Sequence, residues 1–156
     1  MDEAQVRKVA DRLRRLCSRR EYCSKDILRK ATDALDGDKE TASAVLAQLV
    51  KERYVDDLRY ATAFSRDKAS ISGWGATKIR YALSVKGVSR DVIDEALREI
   101  DESSAKARLD KLLENKYRSL KDDSQCRLKL LRFALGRGYS YDEVETAVRK
   151  VMETDI

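Results

Sequence analysis

Apolar residues recur along this chain at intervals of three and four positions, the spacing that places them on one face of an α-helix. In the first such stretch, Val6, Ala10, Leu13 and Leu16 form an apolar stripe among basic residues. Similar stretches follow one another, separated by short segments rich in Gly, Asp and Ser. The pattern predicts an all-α protein of about nine helices.

Capping residues predict where several of these helices begin. Ser140 and Glu143 have the spacing of a capping box, and Ser24 and Ser89 are each predicted to be an N-cap. Asp56–Asp57 has two interpretations, a metal-binding pair or a helix start. We favour the helix start, because carboxylates there accept hydrogen bonds from free backbone amides and interact favourably with the helix dipole.

The last two predicted helices carry stripes that are expected to face the core. In the eighth helix, Leu128, Leu131 and Leu135 lie at positions i, i+3 and i+7. The inward residues of the ninth helix are predicted to be Val144, Ala147, Val148 and Val151. Both stripes follow the same periodicity, so each helix is predicted to bury one side and expose the other.

Two parts of the chain resemble each other. The segment 80–83 (Arg-Tyr-Ala-Leu) matches 132–135 (Arg-Phe-Ala-Leu), and the similarity continues through the following Gly and Ser. The first part of the chain shares the pattern of apolar positions only. A period near fifty residues predicts tandem three-helix repeats at 1–55, 56–102 and 103–156. Stacked repeats of this kind predict an elongated, curved molecule.

Composition supports helices and argues against several classes of function. The 156 residues include no proline, and 39% are charged against 42% apolar, which suits thin helical units. The chain has three cysteines and no histidine, so we expect neither a metal site nor a cofactor, and no enzyme activity. Cys17 is predicted to be a packed thiol. With no signal peptide or membrane span in the pattern, we expect a cytoplasmic protein.

Basic residues recur at matching places in the two similar segments, and the chain carries a net charge of +5. The matched pairs are Arg80 with Arg132, Lys86 with Arg137, and Arg98 with Arg149. Such a series suits a nucleic-acid backbone or an acidic groove of a filament, although solvated helix faces are the alternative interpretation. The candidate contacts are Arg80, Lys86, Arg132 and Arg137, with Lys78, Arg66 and Lys68 as lesser candidates.

A glycine-flanked tryptophan lies in the central part of the chain. Gly73–Trp74–Gly75 lacks the pattern of a phosphate-binding loop, because it follows a predicted helix and has no GxxxxGK[ST] spacing. Trp74 is either a packing residue between units or an exposed anchor for a partner, and we favour packing.

The residues of the central block resemble the signature of the RecX regulatory proteins of bacteria, most closely the branch found in Bacteroides-type bacteria. The resemblance covers about residues 54–100. It is carried by Asp57, Tyr60, Ala61, Phe64, Arg66, Gly73, Gly75, Ile79, Leu83 and Lys86–Gly87–Val88. Ala82 departs from the family pattern, in which an acidic residue is common before the leucine.

The resemblance implies a modulator of the RecA recombinase, with roles in DNA repair, DNA recombination and the SOS response. Such proteins bind RecA and its filaments on single-stranded DNA and inhibit recombinase, ATPase and co-protease activity. We therefore expect RecA as the partner, weak direct nucleic-acid binding, no membrane association and a monomer. Two alternatives remain. One is a helix-turn-helix-like protein that acts directly on DNA. The other is a helical adaptor with an unrelated protein partner.

Overall fold

The computed structural model describes residues 2–154, and within that range the chain forms nine α-helices and no strand. The helices are α1 Glu3–Arg19, α2 Ser24–Ala34, α3 Lys39–Lys51, α4 Asp57–Ser70, α5 Ala76–Val85, α6 Arg90–Arg98, α7 Glu102–Leu120, α8 Cys126–Gly136 and α9 Tyr141–Glu153. The predicted all-α fold is confirmed. None of these helices combines the length and the apolar composition needed to cross a lipid bilayer.

Local capping signals are confirmed at two of the three predicted positions. The capping box of Ser140 and Glu143 begins α9, and the Ser89 hydroxyl accepts a hydrogen bond from the Val92 amide at 3.4 Å. The N-cap assigned to Ser24 is wrong. Ser24 is the first residue of α2, and its amide donates to the Asp57 carboxylate at 2.7 Å. A distant side chain thus performs the capping that the serine was predicted to perform.

The aspartate pair lies at the start of α4, as predicted, and one of its carboxylates also acts at the start of α2, which was not predicted. Asp56 accepts a hydrogen bond from the Arg59 amide at 3.1 Å, which satisfies a free donor in the first turn of α4. Asp57 satisfies the start of α2 instead of its own helix. The two neighbouring carboxylates therefore stabilise two different helices.

The chain divides into two compact units. The first contains Met1–Ala63 with Leu83–Ala96, and the second contains Phe64–Ala82 with Leu97–Ile156. Helices α4, α5 and α6 thus contribute residues to both units. Of the nine helices, α1 to α3 lie in the first proposed repeat and α4 to α6 in the second, while α7 begins at Glu102, one residue before the proposed third repeat.

The core of the first unit is built mainly by α1, α2 and α3. Along α1 the most deeply buried residues are Val9, Leu13 and Cys17, and the predicted stripe members Val6, Ala10 and Leu16 are partly buried beside them. The remaining buried members are Ile27, Ala31, Leu35, Ala42, Val45, Leu49 and Val55. The helix is therefore rotated slightly from the predicted orientation, with the same side facing the core.

The core of the second unit includes α7, α8 and α9. The inward stripe predicted for α9 is confirmed, since all four of its residues are buried. The stripe predicted for α8 is wrong at two of three positions, because Leu128 is 42% exposed and Leu135 is 40% exposed. Leu130 and Ala134 face the core in their place. Apolar residues lie on every side of α8, so periodicity does not decide which side is buried.

All three cysteine thiols are buried, and the packed thiol predicted at Cys17 is confirmed. Burial raises the pKa of Cys17, Cys23 and Cys126 above the ordinary thiol value.

We expect these thiols to react with a disulfide reagent at least about tenfold more slowly in the folded chain than in denaturant. The reaction is followed by absorbance, and equal rates in both conditions would contradict the packing described above.

Candidate partner and nucleic-acid interface

The candidate cations differ in how exposed their side chains are. Arg80 on α5 and Arg132 on α8 are exposed, and they occupy matching positions in the two similar segments. Tyr81, beside Arg80, is 71% exposed. Arg80 and Arg132 thus present long cationic side chains on the second helices of two proposed repeats. The third matched pair is also exposed, and within it Arg149 forms an ion pair with Glu145 at 2.6 Å.

Lys86 lies at a contact between the end of α5 and the start of α2, within the first unit. Its ammonium is 3.1 Å from the Asp26 carboxylate. Beside this pair, the Lys25 ammonium donates to the Val85 carbonyl at 3.2 Å. Gly87, with φ of +78°, lies so close to Lys25 that a Cβ there would be 2.9 Å from its Cδ. We call this set of five residues the first junction.

Arg137 and Lys78 lie at a similar contact, within the second unit. The Lys78 ammonium is 3.4 Å from the Gly136 carbonyl. Gly138, with φ of +95°, packs on Lys78, and a Cβ there would be 2.3 Å from the Lys78 Cβ. The Gly75 amide donates to the Arg137 carbonyl at 2.7 Å. We call these five residues the second junction.

The two junctions are built in the same way. In each, a lysine in the first turn of one helix donates to a carbonyl at the end of another helix, and a left-handed glycine packs on the lysine stem. Lys25 and Lys78 therefore hold two helices together at matching places. Sequence reasoning missed Lys25. The recurring glycines at 87 and 138 were the signal that marked these turns.

Arg137 is half-buried and fixes the turn that precedes α5. Its guanidinium donates to the Ser72 carbonyl at 2.8 Å and lies 5.2 Å from the centre of the Phe133 ring. The Tyr139 hydroxyl donates to the Gly73 carbonyl at 3.2 Å. The Arg137 guanidinium is thus bound to the fold through one hydrogen bond and one ring contact.

Trp74 is half-buried in the same turn and packs within the second unit. Its ring meets Phe64 edge-on, with ring centres 6.2 Å apart. The ammonium groups of Lys68 and Lys78 each lie 4.6 Å from the centre of the indole. Cation–π attraction therefore holds both lysines beside the tryptophan. Arg66, in contrast, is exposed and lies 3.8 Å from Glu99.

The Lys86–Asp26 pair shifts both of its ionisable groups. For Asp26, burial raises the pKa, but the hydrogen bond and charge of Lys86 outweigh it and leave the pKa below its ordinary value. The hydrogen bond and charge of Asp26 raise the pKa of Lys86. The pair is therefore stabilising wherever both groups are charged. In the unfolded chain, Asp and Lys are both charged between about pH 4 and about pH 10.

We expect Asp26→Asn to lower the free energy of unfolding by about 0.5–1 kcal/mol at neutral pH, because Lys86 is nearly half exposed and solvent screens the pair. The pair's contribution is present above the unfolded Asp26 pKa and is lost as pH falls through the folded pKa. The melting temperatures of wild type and variant should therefore converge as the pH is lowered below the ordinary aspartate pKa of about 3.9. A difference in melting temperature that does not change with pH would contradict an ionic origin of the stabilisation.

Two segments of the chain match domains of a known family. Residues 56–97 match the second three-helix domain of RecX, and residues 105–148 match the third. The chain is 36% identical over 119 residues to the regulatory protein RecX of Clostridium botulinum (strain Alaska E43 / Type E3), covering 74% of this chain and 55% of that protein. It is 30% identical over 122 residues to the regulatory protein RecX of Clostridium tetani, covering 76% of this chain.

The aligned region spans little more than half the length of these relatives, 56% for the Clostridium tetani protein. Solved structures support the same fold. The crystal structure of RecX from Lactobacillus salivarius superposes with a TM-score of 0.83 at 20% identity, covering 95% of this chain and 97% of that one. A second crystal structure of regulatory protein RecX gives a TM-score of 0.81 at 22% identity, covering 97% of this chain and 72% of that one.

Proposed function

Because the chain belongs to the RecX family of regulatory proteins, we propose that it binds RecA and the filaments that RecA forms on single-stranded DNA. Binding inhibits the recombinase, ATPase and co-protease activities of RecA. The proposal is supported by the family signature in the central block together with the basic residues that recur across the last two proposed repeats.

The observation that carries this proposal is the exposure of Arg80 and Arg132 at matching positions. A filament presents the same surface many times, so similar repeats on one chain suit contacts with successive protomers. Contacts that are weak individually add through effective concentration once the first has formed. Binding should therefore depend on an assembled filament more than on isolated RecA or bare DNA.

The candidate residues take different parts in this scheme. Arg80 and Arg132 make direct electrostatic contacts, and Arg66 is a weaker contact. Lys86 and Arg137 keep part of their charge available while positioning their turns through contacts within the fold. Lys78 and Lys68 lie beside Trp74, where cation–π attraction to the ring restrains their ammonium groups. We therefore rank the two exposed arginines above the junction residues.

Co-sedimentation separates this proposal from direct DNA binding. The protein is centrifuged with RecA filaments assembled on single-stranded DNA, with RecA lacking DNA, and with single-stranded DNA lacking RecA. We expect the protein to pellet with the filaments at concentrations at which it does not bind bare single-stranded DNA. Equal affinity for bare DNA and filaments, or a footprint on a particular duplex sequence, would favour the helix-turn-helix alternative instead.

A further inference from the structure

Helix α8 exposes an apolar stripe with a cation in its centre. Leu128, Arg132 and Leu135 lie at positions i, i+4 and i+7, so they share one side of the helix. The two leucines are 42% and 40% exposed, while Leu130 and Ala134 on the opposite side are buried. We call the three exposed residues the α8 stripe.

The α8 stripe contrasts with the outer side of the neighbouring helix. On α9 the exposed positions include Asp142, Arg149 and Lys150, and the apolar residues of its inward stripe are all buried. That division is usual for a surface helix, whereas a helix that is apolar on every side is normally covered on every side. Two exposed leucines one turn from an arginine therefore suggest a surface that a partner covers.

Charge restricts what can cover the α8 stripe. Arg127 and Arg132 are exposed along this part of α8, and the nearby carboxylate of Asp123 is bound to Lys129. A two-fold pairing of two such stripes would bring like charges together. The stripe has no aromatic side chain on which a base could stack. Phosphate groups are charged and hydrated, so they would not bury the apolar surface of its leucines. A protein surface that is apolar and acidic fits both features.

We infer that the α8 stripe is the docking surface for a protein segment that presents apolar side chains flanked by Asp or Glu. The leucines supply burial of apolar surface, and Arg132 between them supplies a charge-assisted hydrogen bond to a carboxylate. The inference rests on the proposed function, under which this segment belongs to RecA. It assigns to Arg132 a contact with protein, not with DNA.

The test compares three variants with the wild-type chain. Leu128→Ser combined with Leu135→Ser removes the apolar contacts, and Arg132→Gln removes the charge. Ile71→Ser is the matched control, because Ile71 is 80% exposed and lies outside the stripe. Inhibition of RecA ATP hydrolysis on single-stranded DNA and affinity for a bare single-stranded oligonucleotide are measured for each variant, with circular dichroism to check folding.

We expect the double leucine variant to need at least about tenfold more protein for half-maximal inhibition, and Arg132→Gln about fivefold more. Affinity for the oligonucleotide should change less than about twofold for the leucine variant, since leucines make no phosphate contact. The Ile71→Ser control should inhibit like the wild type. A folded leucine variant that inhibits at wild-type concentration would overturn the inference and leave the proposed function intact.

Two other results would also overturn it. A matched loss of oligonucleotide affinity and inhibition would assign the stripe to nucleic acid. A wild-type dimer that the leucine substitutions convert to a monomer, measured by light scattering, would assign it to a second copy of this chain. If the wild-type chain does not inhibit RecA at all, the proposed function itself fails, which the wild-type titration alone reveals.

Discussion

Gly75→Ala is expected to destabilise the chain by about 3 kcal/mol or more, which corresponds to a fall in melting temperature of roughly 6–12 °C. A Cβ at this position would lie 2.5 Å from the Gly138 carbonyl oxygen and 2.7 Å from the Tyr139 nitrogen. Both neighbours are backbone atoms, so no side-chain rotation relieves the overlap. The second junction would have to open, and the hydrogen bond from the Gly75 amide to Arg137 would be lost.

Two other glycines provide matched controls. A Cβ added to Gly136 would have no neighbouring atom within 4 Å, and this residue lies in α8, so Gly136→Ala should leave stability unchanged or raise it by up to about 1 kcal/mol. Gly37 also has open space but a φ of +86°, so Gly37→Ala should cost about 1 kcal/mol from backbone strain alone. Thermal melts followed by circular dichroism measure all three. If the melting temperature of Gly75→Ala equals that of Gly136→Ala, the backbone of the second junction does not approach Gly75 as closely as the structure shows.

Charge reversal of Arg80 and Arg132 together is expected to weaken inhibition of RecA by about tenfold or more with little change in melting temperature. Both side chains are exposed, so replacing them with glutamate leaves the core unchanged. The reversed charges would repel the acidic surface that the proposal requires. The measurement is the concentration for half-maximal inhibition of ATP hydrolysis, repeated at higher salt to test for an electrostatic origin.

The control is Arg12→Glu combined with Arg15→Glu, which makes the same change in net charge at exposed positions on α1. It should inhibit nearly as the wild type does. Arg137→Glu should behave differently from both, lowering the melting temperature because it removes the hydrogen bond to Ser72. A doubly reversed Arg80 and Arg132 protein that inhibits at wild-type concentration would exclude this pair as contacts.

Local signals were sufficient to predict the helices. The capping box at Ser140 depends on residues three positions apart, and its geometry follows from the sequence alone. Ser24 shows the limit of such signals, because the carboxylate that caps α2 comes from Asp57, thirty-three residues away. Leu128 and Leu135 show another limit. When apolar residues surround a helix, only its neighbours determine which of them are buried.

The candidate interface was predicted less completely than the fold. Recurrence identified the basic positions, but it did not separate exposed Arg132 from half-buried Arg137, since both are arginines at repeated places. That distinction depends on the carbonyl of Ser72, which approaches Arg137 only in the folded chain. Lys25 was missed because its partner, the Val85 carbonyl, is a backbone group that carries no sequence signal.

The most direct measurement of RecA regulation is ATP hydrolysis by the cognate RecA on single-stranded DNA, titrated with this protein. We expect inhibition at protein concentrations well below that of RecA, because a regulator that acts on assembled filaments affects many protomers at once. Inhibition only at concentrations that also saturate bare DNA would indicate competition for DNA. No inhibition at an excess of protein, together with tight binding to bare DNA, would contradict the proposed function and support a protein that acts directly on DNA.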